Sequence, residues 1–145
     1  MKRWMVCVIL WGFALCPAFG APADLDGLIA ELNLQARADL DVFNTRLSAQ
    51  FDLPLPEVEI LLEKVASPAD AFLCLQIGFL TREPLDVVVK AYKAKKGKGW
   101  GVIAQSLGLK PGSAEFHALK SGKFTLTGKP APAHGHTKAK GKKKD

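Results

Sequence analysis

The run from Ser67 to Leu80, SPADAFLCLQIGFL, leaves almost no polar face if it is helical. Phe72, Leu73, Cys74, Leu75, Ile77 and Phe79 spread around the whole circumference of such a helix. A helix that is apolar all round is stable only when other elements cover every side of it. Its start is well marked. Ser67 is a capping side chain, Pro68 fits a first position whose N–H would have no partner, and Asp70 stands three residues after the cap. The expectation is a central helix over about 68–80, with the rest of the chain packed round it.

Proline also punctuates the neighbours of this run. Pro54 and Pro56 force a break, and Pro56 suits the first turn of a helix ending near Ala66. Val58, Leu61, Leu62 and Val65 form its inward stripe, while Glu57 and Glu59 lie near its positive end. Pro84 opens another helix, with Leu85, Val88, Val89 and Tyr92 inward and Lys90, Lys93, Lys95 and Lys96 towards its C-terminal end. Upstream, Ala36, Leu40, Phe43, Leu47 and Phe51 keep a helical spacing that reads as one helix over about 36–51. Asp39, Asp41, Arg46 and Gln50 fall outside that stripe. Leu25, Leu28, Ile29 and Leu32 give a weaker helical signal before it, interrupted by Gly27. Val87-Val88-Val89 is β-branched, but it lies inside a proline-started helical period without a hairpin turn, so no strand is expected. The fold class is therefore all-α. The chain reads as a compact orthogonal bundle of about five to six short helices over 24–126, followed by a disordered basic tail, 128–145.

The first 20 residues read as a secretory signal peptide. Lys2 and Arg3 precede an uncharged apolar run from Trp4 to Cys16, and Pro17, Gly20 and Pro22 then break the helix. That run is shorter than the roughly 20 residues that span a bilayer, so cleavage after Gly20 is preferred to a retained anchor. Cys16 does not read as a lipid attachment site, because Leu15 stands where such signals place a small residue. Removal of Cys7 and Cys16 leaves Cys74 alone, so no internal disulfide is expected despite an oxidising destination. Cys74 reads as a buried structural thiol.

The most tightly punctuated stretch is GKGWGVIAQSLGLKPGSAEFHALK, residues 97–120. Trp100, Ile103, Ala104 and Leu107 give one apolar side to a short helix, which Gly108 stops. Pro111 and Gly112 turn the chain, and Ser113 caps a second helix with Phe116 and Leu119 inward. Gly97, Gly99 and Gly101 would let another backbone approach the indole of Trp100. Helix, glycine turn and helix also begin many DNA-binding modules, but this link is longer than their usual turn of about three to four residues. The second helix offers no Arg, Asn or Gln for base edges, so sequence-specific DNA binding is the alternative and not the main reading. Together with the preceding Ser-Pro-Ala-Asp-Ala-Phe segment, the stretch resembles the signature of a family of small, exported, helical bacterial proteins, over roughly 34–124. The resemblance implies export and a compact helical fold. It carries no activity, cofactor or site residue with it.

Catalytic signals are thin. Glu115 and His117 are two apart on a helix and diverge, Ser113 is explained as a cap, and there is no Gly-rich phosphate loop, HExxH or CxxC. The chain reads as non-enzymatic with no cofactor. Metal binding has only His134 and His136 as weak candidates, with His117 remote and too few companions for a closed site. Charge is the informative feature. Residues 21–89 hold 12 acids against 4 bases, and residues 90–145 hold 14 lysines against 2 acids. Two lysine groups result, Lys93, Lys95, Lys96 and Lys98 beside Trp100, and Lys138, Lys140, Lys142, Lys143 and Lys144 in the tail. They point to an anionic envelope surface or polymer as partner, met after export to the periplasm or beyond.

Overall fold

The structure is a computed structural model that describes residues 24–130. The expected signal peptide, 1–20, and most of the expected tail lie outside these residues. Among the described residues there are seven α-helices and no strand. They are α1 (Leu25–Ala38), α2 (Leu40–Phe51), α3 (Leu55–Lys64), α4 (Pro68–Thr81), α5 (Leu85–Lys95), α6 (Trp100–Ser106) and α7 (Ala114–Lys120).

The centre is α4, which packs against α1, α2, α3 and α5. Every residue from Ala69 to Ile77 except Asp70 is buried, including Gln76. The Ser67 hydroxyl accepts from the Asp70 N–H, and Asn33 of α1 accepts from the Ala69 N–H at 3.0 Å. Two of the donors that a helix start leaves unpaired are thus satisfied, one of them from a neighbouring helix. Phe51 meets Phe72 edge-on, with ring centroids 5.8 Å apart, and so ties α2 to the same core.

The stripe over 36–51 breaks where one helix was expected, which takes the count to seven. Asp39 ends α1 in an extended conformation, and its side chain accepts from the Val42 N–H at 2.9 Å to start α2. A capping carboxylate outcompetes helical continuation here. Leu40 consequently turns outward, at 48 % exposed, while Phe43 and Leu47 are buried. Two other helices end on non-glycine residues with left-handed backbone, Asp52 at φ 51° and Arg82 at φ 60°.

Gln50 also departs from the sequence reading. It is buried, and it holds the segment after α7 against α2. Its amide NH₂ donates to the Thr125 carbonyl at 3.1 Å, and its Oε1 accepts from the Thr127 N–H at 2.8 Å and the Gly128 N–H at 3.2 Å. Leu126, within this strap, is buried. Gly128, placed at the start of the tail by composition, is thus bonded into the fold and lies against Arg46. At the strap's start, Gly122 sits against the first turn of α1. A Cβ there would lie 2.2 Å from the Asp24 carbonyl oxygen.

Gly122→Ala combines that clash with a φ of +60°. Its expected cost is about 3 kcal/mol, from about 1 for the left-handed backbone and about 2 for displacing the strap. Gly112→Ala is strained at φ +87° but meets nothing within 4 Å, so it is expected to cost only about 1–2 kcal/mol. Urea melts of the two variants test the difference, and equal losses would mean that the approach to α1 is unimportant. Stability also has an alkaline limb. Burial, followed by the nearby Asp70 charge, pushes the Cys74 thiol from 9.0 up to about 12. An unfolded chain therefore loses this proton before the folded one, so stability present below about pH 9 declines as pH rises towards 12. Cys74→Ala is expected to make that decline shallower in pH-dependent urea melts.

Candidate functional site

The glycine-tryptophan stretch forms a helical pair whose punctuation is structural. Gly108 takes φ 91°, its N–H donates to the Gln105 carbonyl, and the Leu109 N–H donates back to Ala104. This is a Schellman ending, and its usual apolar partner is Leu109, which is buried. Pro111 and Gly112 occupy the centre of a turn closed by the Ser113 N–H donating to the Lys110 carbonyl, with Gly112 at φ 87°. The Ser113 hydroxyl accepts from the Phe116 N–H at 3.1 Å, and its cap role leaves it no sign of nucleophile activation. Ile103, Ala104, Leu107, Phe116 and Leu119 are buried. The connection between α6 and α7 runs from Leu107 to Ser113, longer than the turn of a helix-turn-helix. The outer side of α7 presents Ala114, His117 and Lys120.

Trp100 is 9 % exposed and stacks on Tyr92 of α5, with ring centroids 5.4 Å apart and planes 22° from parallel. Its immediate seat is therefore α5. Gly97 and Gly99 serve the backbone, at φ 87° and 90°, with nothing within 4 Å of a would-be Cβ. Only Gly101 makes room for a neighbour, and that neighbour is the Phe116 ring at 3.6 Å. No second backbone approaches these three glycines.

Tyr92 organises the charged end of the molecule. Its hydroxyl accepts from the Ala66 N–H at 3.1 Å and donates to the Asp70 carboxylate at 3.0 Å. Burial raises its pKa above the ordinary value, the Ala66 N–H opposes that rise, and Asp70 adds to it. Ala66 lies just beyond α3, and Tyr92 lies one turn from the end of α5. The C-terminal ends of α3 and α5 are thus brought together at one pole. Lys64 occupies the last turn of α3, Lys93 and Lys95 occupy the last turn of α5, and Lys96 and Lys98 follow in the turn beyond. All are exposed except Lys95, which is half-buried. A recess of about 290 Å³ beside them is lined by Asp70, Tyr92, Lys96 and Trp100.

A groove of about 580 Å³ lies between α3 and α5, where no sequence motif marks it. Ile60, Leu61, Leu85 and Val89 form its apolar floor, with Glu57, Asp86, Lys64, Lys90 and Lys93 around it. Ile60 lies off the inward stripe of α3 and is 48 % exposed. No single-helix periodicity marks such a residue, because the groove exists only once α3 and α5 flank α4.

Lys138, Lys140, Lys142, Lys143 and Lys144 lie outside the described residues, as do His134 and His136. Among the described residues no three His, Cys, Asp or Glu side chains group to hold a metal ion. Cys74 is buried, with a thiol held far from its reactive thiolate form. The arrangement offers charge, an aromatic stack and an apolar groove, which are means of binding.

Trp100→Ala removes the ring that joins α6 to α5 and is expected to cost about 3–5 kcal/mol in urea melts. A loss below about 1 kcal/mol would show that the indole does not anchor the helical pair and is available to a ligand. Comparison with protein-family models, curated proteins and solved structures finds no match to this chain.

Proposed function

We propose that this protein is an exported, non-catalytic binding module that meets an anionic envelope surface or polymer through its lysines. One observation carries the reading, the Ala66–Tyr92 hydrogen bond that gathers the lysine-bearing ends of α3 and α5 at one pole. Lys93, Lys95, Lys96 and Lys98 then act together with Lys64, and the tail lysines 138, 140, 142, 143 and 144 add five further positive charges to the chain. Support for export comes from the basic, apolar and helix-breaking order of residues 1–20. No helix of the described residues is long and apolar enough to cross a membrane. Contacts made by lysines on flexible stems displace counterions, so they weaken with salt and show little preference among anionic polymers.

Two variants test this reading, a chain ending at Pro130 and a Lys93, Lys95, Lys96, Lys98→Gln variant. The truncation keeps the strap that Gln50 holds, so its helicity and melting temperature are expected to match the parent. Each variant should elute earlier than the parent from heparin and bind anionic vesicles less, and the combined variant should be retained least. Unchanged retention of the combined variant would overturn the proposal. A strong preference for one duplex DNA sequence over heparin would favour the helix-turn-helix alternative instead.

A further inference from the structure

The groove between α3 and α5 carries opposite charges at its two ends. The two helices run in the same sense, because each connects to α4 by a short turn and their C-terminal ends meet at the Ala66–Tyr92 bond. Glu57 and Asp86, in the first turns of the two helices, therefore lie at one end of the groove. Lys64 and Lys93, in the last turns, lie at the other. The separation is seven residues on each helix, about 10 Å at the helical rise. Between the charged ends the floor is aliphatic, with Lys90 on the α5 wall one turn from Asp86, and Ile60 stands near the midpoint with about half its surface in water.

A two-fold axis through the middle of this face, near Ile60 and Val89, places the acidic end of one copy on the basic end of another. The same operation lays the α3 and α5 dipoles of the two copies antiparallel, which adds a favourable term of the same sign. Two-fold interfaces require that residue i meet residue j and j meet i, and a patch with opposite charges at its two ends meets that condition. A ligand with a single charge would be attracted by one end and repelled by the other. We propose that the α3/α5 groove is a homodimer interface, occupied by the same groove of a second copy of this chain. Ile60 and its counterpart then lie close to the axis, each shielded from water by the partner's aliphatic floor. Lys64 and Lys93 are shared with the anion-binding pole, whereas Lys95, Lys96 and Lys98 lie beyond the groove and stay available to an anionic partner in the dimer.

Sedimentation equilibrium on the full chain across micromolar to millimolar concentration tests the proposal. The parent is expected to dimerise, with dissociation promoted by salt. A Glu57→Lys, Asp86→Lys variant becomes basic at both ends of the groove, and a Lys64→Glu, Lys93→Glu variant becomes acidic at both. Each alone should dimerise at least about tenfold more weakly, because like charges now face one another. Mixed in equal amounts, the two should form a heterodimer, which also shows that both are folded. Ile60→Glu changes an exposed side chain, so it should keep the parent's helicity while losing the dimer. A parent that stays monomeric throughout, single variants that dimerise as tightly as the parent, or a mixture that fails to associate would each overturn the interface.

Discussion

The hydroxyl of Tyr92 is the junction on which the rest of the arrangement turns. A buried phenol needs partners, and this one has both a donor and an acceptor, the Ala66 N–H and the Asp70 carboxylate. Ala66 follows α3, Asp70 belongs to the first turn of α4, and Tyr92 itself lies on α5. One oxygen therefore fixes three helices relative to one another. The Tyr92 ring then carries Trp100 and with it α6. Because the contact joins the ends of α3 and α5, it also decides which charges become neighbours. Lysines at helix ends, favoured there locally by the dipole, are collected into one pole by a tertiary hydrogen bond.

A second constraint closes the chain on itself. The pair α6 and α7 joins the body through α5, and a short helical pair attached on one side would be weakly held. The strap after α7 supplies the other attachment. Gly122 brings the backbone against the first turn of α1, Leu126 enters the core, and Gln50 holds the carbonyl of Thr125 and the N–H groups of Thr127 and Gly128. A buried glutamine is costly unless its amide is used on both sides. Here it is used on both sides, in place of the ladder partners that an irregular segment lacks.

Much of this fold is legible in the sequence because its signals are local. Ser67 with Pro68, Pro56, Gly108, and Ser113 each act within a few residues, and the structure uses them as helix starts and stops. What was not legible depends on residues distant in sequence. Asp39 lies beside an unbroken apolar stripe, and only its capping geometry shows that two helices meet there. Gln50 reads as a solvent-facing residue until the strap, 75 residues later, arrives above it. Ile60 falls outside the inward stripe of its own helix, and its apolar surroundings come from α5. The charged pole was visible only as a cluster on one helix, since the contribution of Lys64 requires the Tyr92 contact.

The stretch that stands out most in the sequence is consequently not the surface best suited to a partner. Gly108 and Gly112 are required by left-handed backbone, Leu109 and Phe116 are buried, and Ser113 is spent on a cap. Every distinctive residue there is consumed by building a compact turn. The lysine pole and the α3/α5 groove are plain in sequence, consisting of lysines, two first-turn acids and aliphatic residues. Their meaning comes from direction. Two helices that run the same way over α4 set Glu57 beside Asp86 at one end of the groove and Lys64 beside Lys93 at the other. A face built in this way has one end that bears lysines and another that bears acids, a polarity set by helix direction and not by any local run of sequence.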